Sequence, residues 1–137
     1  MNEARTILIS DDEVLMTRTL ARAFQRVGVQ PLVENDSAKI VQRAADEQPH
    51  FILLDVHQKL DGRDVLAALK RNPHTADIPV FMLSGWDDQF VRRTCLELGA
   101  EDFDLKPFDA LHIDKLMRKV GLSKRLTPNT NVTPFVA

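Results

Sequence analysis

At 137 residues the chain is sized for one domain around a single core. Apolar residues at 44% and charged residues at 28% are ordinary for a globular protein, and a net charge of -2 gives no global electrostatic pull toward nucleic acid or membrane. The one cysteine, Cys95, excludes an intrachain disulfide and suits a reducing cytosol, while no apolar run approaches the roughly 20 residues of a membrane span.

The leading MNEARTILIS has the pattern of neither a signal nor a transit peptide, so a cytoplasmic location is expected. Within it, Thr6 to Ser10 is short and continuously apolar, the pattern of a strand buried on both faces. Val14 to Val27 reads as a helix with Leu15, Leu20, Phe24 and Val27 on an apolar stripe, stopped by Gly28. Gln30 to Glu34 is a weaker strand. Asp36-Ser37 then offers a cap for a helix from Ala38 to about Glu47. Phe51 to Asp55 (FILLD) is a second buried strand, and a helix runs from about Arg63 to Arg71. Pro79 to Leu83 is the next strand, followed by a helix from about Gln89 to Leu98, capped by Asp87-Asp88 and ended by Gly99. Asp102 to Leu105 is a short last strand and Ala110 to Val120 the last helix. Such alternation predicts an α/β domain, a parallel sheet with helices on both faces, whose chemistry sits at the carboxyl ends of the strands.

Asp11-Asp12, Asp55, Ser84-Gly85 and Lys106-Pro107 stand at those ends. Neighbouring carboxylates repel, which calls for a cation, and oxygen ligands suit a hard one such as Mg2+ or Mn2+. One carboxylate can then act as nucleophile toward a phosphoryl group, with Lys106 and the Ser84 hydroxyl meeting its oxygens. Each residue alone has a bland explanation: helix capping for Asp11-Asp12, a turn for Ser84, a solvated charge for Lys106, a helix start for Asp61-Gly62. The set at sibling strand ends outweighs them.

ILISDDE, FILLD, LDG, FMLSG and EDFDLKPF, in this order and spacing, resemble the motif series of response-regulator receiver domains from about Thr6 to Val120. The resemblance implies a flavodoxin-like, doubly wound five-stranded parallel sheet of order 2-1-3-4-5, with a receiver domain over residues 1–122 and a tail or linker over 123–137. It implies Asp55 as phosphoacceptor, Asp12 as direct metal ligand, Asp11 as ligand through water, and the His57 carbonyl as third protein ligand. Ser84 becomes the switch hydroxyl, Lys106 the phosphoryl contact and Phe103 the switch aromatic, and Pro107 is expected to follow a cis bond. The implied partners are a histidine kinase or histidine phosphotransfer protein, and a protein target on the face of the fourth helix, fifth strand and fifth helix. A homodimer is left open, and neither nucleic acid nor membrane is expected to bind directly.

The loop Val56-His57-Gln58-Lys59-Leu60 departs from the pattern, being one residue short and without the usual Met-Pro pair. His57 and Trp86, each two positions beyond a site residue, are expected to tune phosphoryl lifetime, with Trp86 shielding the group from water. The other histidines, His50, His74 and His112, lack metal spacing and read as surface or loop residues, and Cys95 as a buried small hydrophobe. Lys115, Arg118, Lys119, Lys124 and Arg125 read as a solvated helix face. Two other functions compete with a phosphoacceptor switch: a degenerate, phosphorylation-independent interaction module, and an aspartate-nucleophile phosphatase of haloacid-dehalogenase type. The latter needs an aspartate where His57 stands. No enzymatic turnover is expected beyond self-phosphorylation from small donors and self-dephosphorylation.

Overall fold

The computed structural model describes residues 5–121. The tail from 123 to 137, with Lys124 and Arg125, lies outside them. Five strands, β1 (Arg5–Ser10), β2 (Val29–Glu34), β3 (Phe51–Asp55), β4 (Val80–Ser84) and β5 (Asp102–Leu105), form one parallel sheet of order β2-β1-β3-β4-β5. The helices between and after them are α1 (Val14–Arg26), α2 (Ile40–Glu47), α3 (Gly62–Arg71), α4 (Gln89–Glu97) and α5 (Ala110–Gly121). This is the flavodoxin-like arrangement.

The central strands read as uninterrupted apolar runs because helices cover both faces, and period-two alternation decides which side each residue fills. Phe51, Leu53, Phe81 and Leu83 pack with Ile7, Ile9, Leu20, Phe24 and Ile113 under α1 and α5. Ile52, Leu54, Val80 and Met82 pack with Ile40, Leu66, Leu69, Cys95 and Phe103 under α2, α3 and α4. Fully burying each such side chain contributes roughly 1.5–3 kcal/mol. Pro31 is tolerated in β2 because that strand lies at the edge of the sheet.

Helix starts follow the capping chemistry. Asp61 accepts from Arg63 N–H at α3, and Asp88 from Phe90 and Val91 N–H at α4. Asp36 caps a 3-10 turn, Ser37–Lys39, that precedes α2, where the sequence suggested continuous helix. Gly28 and Gly99 adopt φ of 84° and 110°, the left-handed region that ends α1 and α4. Pro79 precedes β4 instead of opening it. The expected α1 stripe needs correction: Leu20 and Phe24 are buried, but Leu15 is 70% and Val27 50% exposed. At 100° per residue Leu15 sits about 140° around the helix from Leu20, and Val27 lies past the last turn.

Candidate functional site

The carboxyl ends of β1, β3, β4 and β5 bring Asp11, Asp12, Asp55, Ser84 and Lys106 to one rim of the sheet. Register explains the gathering. Asp55 pairs with Leu83, one residue before Ser84, and Ser84 pairs with Leu105, one residue before Lys106. Lys106 Nζ lies 3.2 Å from Asp11 Oδ2 and 3.3 Å from Asp55 Oδ1, reaching residues 95 and 51 positions before it in the chain. Oxygens of Asp11, Asp12 and Asp55 lie within 4.8 Å of one another. Asp11 and Asp55 are buried and Asp12 is exposed.

Two buried carboxylates beside one ammonium leave the charge only partly balanced. Burial, and then the Asp11 charge, push the Asp55 carboxyl up from 3.8 to about 6, against the opposing pull of Lys106 and the His57 N–H. Burial works against the Lys106 ammonium, but Asp55 and Asp11 outweigh it and hold its pKa above the usual lysine range. Asp55 Oδ1 has its charge contact with Lys106 yet accepts no aligned hydrogen bond. A buried oxygen without an aligned donor, within reach of two further carboxylates, fits a hard divalent cation such as Mg2+ or Mn2+.

The sequence pattern of the response regulator receiver domain matches residues 7–118. The chain belongs to that family. It is 32% identical over 130 residues to a probable transcriptional regulator ycf27 of Cyanophora paradoxa, covering 94% of this chain and 53% of that protein. It is 31% identical over 117 residues to the alkaline phosphatase synthesis transcriptional regulatory protein PhoP of Bacillus subtilis, covering 85% and 48%. The chain thus spans about half the length of the curated relatives it matches. In fold it is similar to the chemotaxis protein CheY4 of Vibrio cholerae, with a TM-score of 0.80 at 18% identity over 86% of this chain and 99% of that one. Membership places the receiver domain in two-component signalling, in which receiver domains work with histidine kinases. Among the described residues, no helix is long and apolar enough to cross a membrane.

Phe103 of the receiver domain is buried, with the Arg92 guanidinium 4.9 Å from its ring centroid and Arg92 Nη1 donating to its carbonyl at 3.2 Å. The Lys106–Pro107 peptide is cis. Ser84 is buried, and its Oγ bonds within the β4–α4 loop and to His57 Nε2. Trp86 is 67% exposed with its ring edge-on to His57, lining a cleft of about 280 Å³ with His57, Ser84, Asp88 and Val91. On the basic helix face, Lys115 pairs with Asp102 and Asp104, and Arg118 with Asp114.

Three residues take supporting roles that the sequence motifs do not announce. Asn35, one residue past β2, donates through Nδ2 to the Asp11 carbonyl at 2.7 Å and to Thr17 Oγ1 at 3.0 Å, tying the acidic pair to the loop that follows the edge strand. Its position at a strand end was the available signal. Gln58 Nε2 donates to the Asp55 carbonyl at 2.9 Å and to Ser10 Oγ at 2.9 Å, so a side chain fastens the loop that lacks the usual proline. Nothing local marks that role. Gly62 is required by close approach: a Cβ there would stand 2.6 Å from the Asp55 carbonyl oxygen and 2.7 Å from Val56 Cα.

Proposed function

We propose that this receiver domain is a phosphorylation-dependent switch in which Asp55 accepts a phosphoryl group from a histidine kinase or a histidine phosphotransfer protein. The observation that carries this reading is the Lys106 ammonium held between Asp11 and Asp55, with Asp12 close by. In the transfer an Asp55 carboxylate oxygen forms a bond to phosphorus as the phosphorus–nitrogen bond of the donor phosphohistidine breaks. The leaving imidazole keeps that electron pair and ends protonated or neutral according to its surroundings. Lys106 meets the charge on the transferred oxygens, and the ammonium is already in place before the donor arrives.

Asp12, Asp55, the His57 carbonyl and, through water, Asp11 would hold Mg2+ or Mn2+. Bound there, the cation neutralises phosphoryl oxygens and the repulsion among the carboxylates. Ser84 then turns to the acyl phosphate and Phe103 moves into the space left behind, altering the face of α4, β5 and α5 that a protein partner reads. Arg92 restrains this step, since it holds both the ring and the carbonyl of Phe103. Trp86, packed on His57 at the mouth of the cleft, slows water attack on the acyl phosphate.

Incubation with acetyl phosphate and Mg2+, followed by intact-mass measurement, tests the assignment. A single phosphoryl adduct is expected, absent in Asp55→Asn and absent when EDTA replaces Mg2+. An adduct that survives Asp55→Asn refutes Asp55 as the acceptor. Continuous turnover of phosphate esters would make the protein a hydrolase.

A further inference from the structure

We propose that His57 is a positioning residue for Ser84, a latch whose imidazole keeps the switch hydroxyl turned toward the β4–α4 loop and so opposes the phosphorylated state. The proposal rests on Asp55 being the phosphoacceptor and concerns what resists the switch.

The hydrogen bonds of Ser84 Oγ define the latch. Oγ lies 3.0 Å from the Trp86 carbonyl oxygen, 3.0 Å from Trp86 N and 3.2 Å from His57 Nε2. A hydroxyl has one proton and two lone pairs. A carbonyl only accepts, so the Ser84 proton points to Trp86 O. The Trp86 N–H fills one lone pair, which leaves His57 Nε2 as the N–H donor to the other. The hydroxyl is therefore saturated, and no bond of the set reaches Asp55, whose Oδ1 has no aligned donor.

Donation to a phosphoryl oxygen on Asp55 requires that single proton, so Ser84 must leave Trp86 O. Rotation about the Cα–Cβ bond carries Oγ away from His57 Nε2 as well, and the imidazole loses its acceptor. Two of the bonds belong to the local loop and follow from the turn itself. The His57 bond spans 27 residues and ties the β3–α3 loop to the end of β4. The Trp86 ring also packs against the imidazole, edge-on at 6.1 Å and 78°. The latch is therefore a property of the residue two beyond Asp55, and it is removed without touching Asp55, Lys106 or Ser84.

Titration calorimetry of the full chain with beryllium fluoride, a phosphoryl mimic, in the presence of Mg2+ measures the effect. His57→Phe keeps a ring against Trp86 and deletes the donor, and His57→Ala deletes both. Each is expected to tighten binding by roughly two- to tenfold, the worth of one neutral hydrogen bond present in only one state. His57→Gln, which restores an N–H donor, is expected to return affinity to the wild-type value. In a Ser84→Ala background there is no hydroxyl to hold, so His57→Phe should change nothing, and the double-mutant cycle isolates the pair. A gain of equal size in the Ser84→Ala background, or no gain in His57→Phe, overturns the latch while leaving the phosphoacceptor assignment intact. Failure of the wild-type chain to bind the mimic overturns the phosphoacceptor assignment, and the latch falls with it.

Discussion

Asp55→Asn should make the protein more stable, and by an amount that depends on pH. Burial and the neighbouring Asp11 charge raise the Asp55 pKa from 3.8 to about 6, so the fold disfavours the ionised carboxylate. At about 1.4 kcal/mol per pKa unit, that elevation corresponds to roughly 3 kcal/mol lost from stability once the group is ionised in both states. The sign follows from proton counting. Between pH 4 and 6 the native state holds the proton more firmly than the unfolded chain, so the Asp55 contribution falls as pH rises through this window and is fully adverse above about 6. Below pH 4 both states are protonated and the contribution vanishes. Asparagine keeps the shape and removes the charge, although Lys106 then has Asp11 alone as its anionic contact at the site. Urea unfolding without divalent ions should therefore show Asp55→Asn ahead by about 2–3 kcal/mol at pH 7.5 and by well under 1 kcal/mol at pH 4. Adding Mg2+ at pH 7.5 should narrow the gap by stabilising wild type selectively. An advantage of the same size at both pH values would refute the claim that buried charge at Asp55 is what destabilises the site.

Three further outcomes follow from the same geometry. Gly62→Ala places a methyl group against the Asp55 carbonyl and Val56 Cα, and should lower the urea-derived stability by roughly 2–4 kcal/mol. Asn35→Ala strips a 2.7 Å donor from the Asp11 carbonyl, and should cost about 1–3 kcal/mol together with a slower rate of adduct formation from acetyl phosphate by mass measurement. The Cys95 thiol is wholly buried, and burial pushes its pKa up to about 11, so it should resist a chromogenic disulfide reagent at pH 8 in the folded protein and react at once in urea.

Much of the fold was legible because local patterns encode it. The bounds of β3 and β5 coincide to the residue with those expected from FILLD and DFDL. The convergence of Asp11, Asp55, Ser84 and Lys106 followed from strand–helix alternation alone, because parallel crossovers return every strand with its carboxyl end on the same rim. Leu15 and Val27 depart from the expected stripe because an apolar residue near it is buried only where a neighbour covers it, and among the described residues these two stay 70% and 50% exposed.

Sequence by itself determined which elements form, their order in the chain, and which chemical groups stand at the strand ends, because periodicity and capping act over a few residues. Tertiary structure decided what those groups touch. The ammonium between Asp11 and Asp55, the Asn35 and Gln58 supports, and the His57 hold on Ser84 all join residues at least 24 positions apart at one end of each contact set. Such contacts depend on sheet register and loop course, and the raised Asp55 pKa depends on burial. Neither quantity is written in any local stretch of the chain.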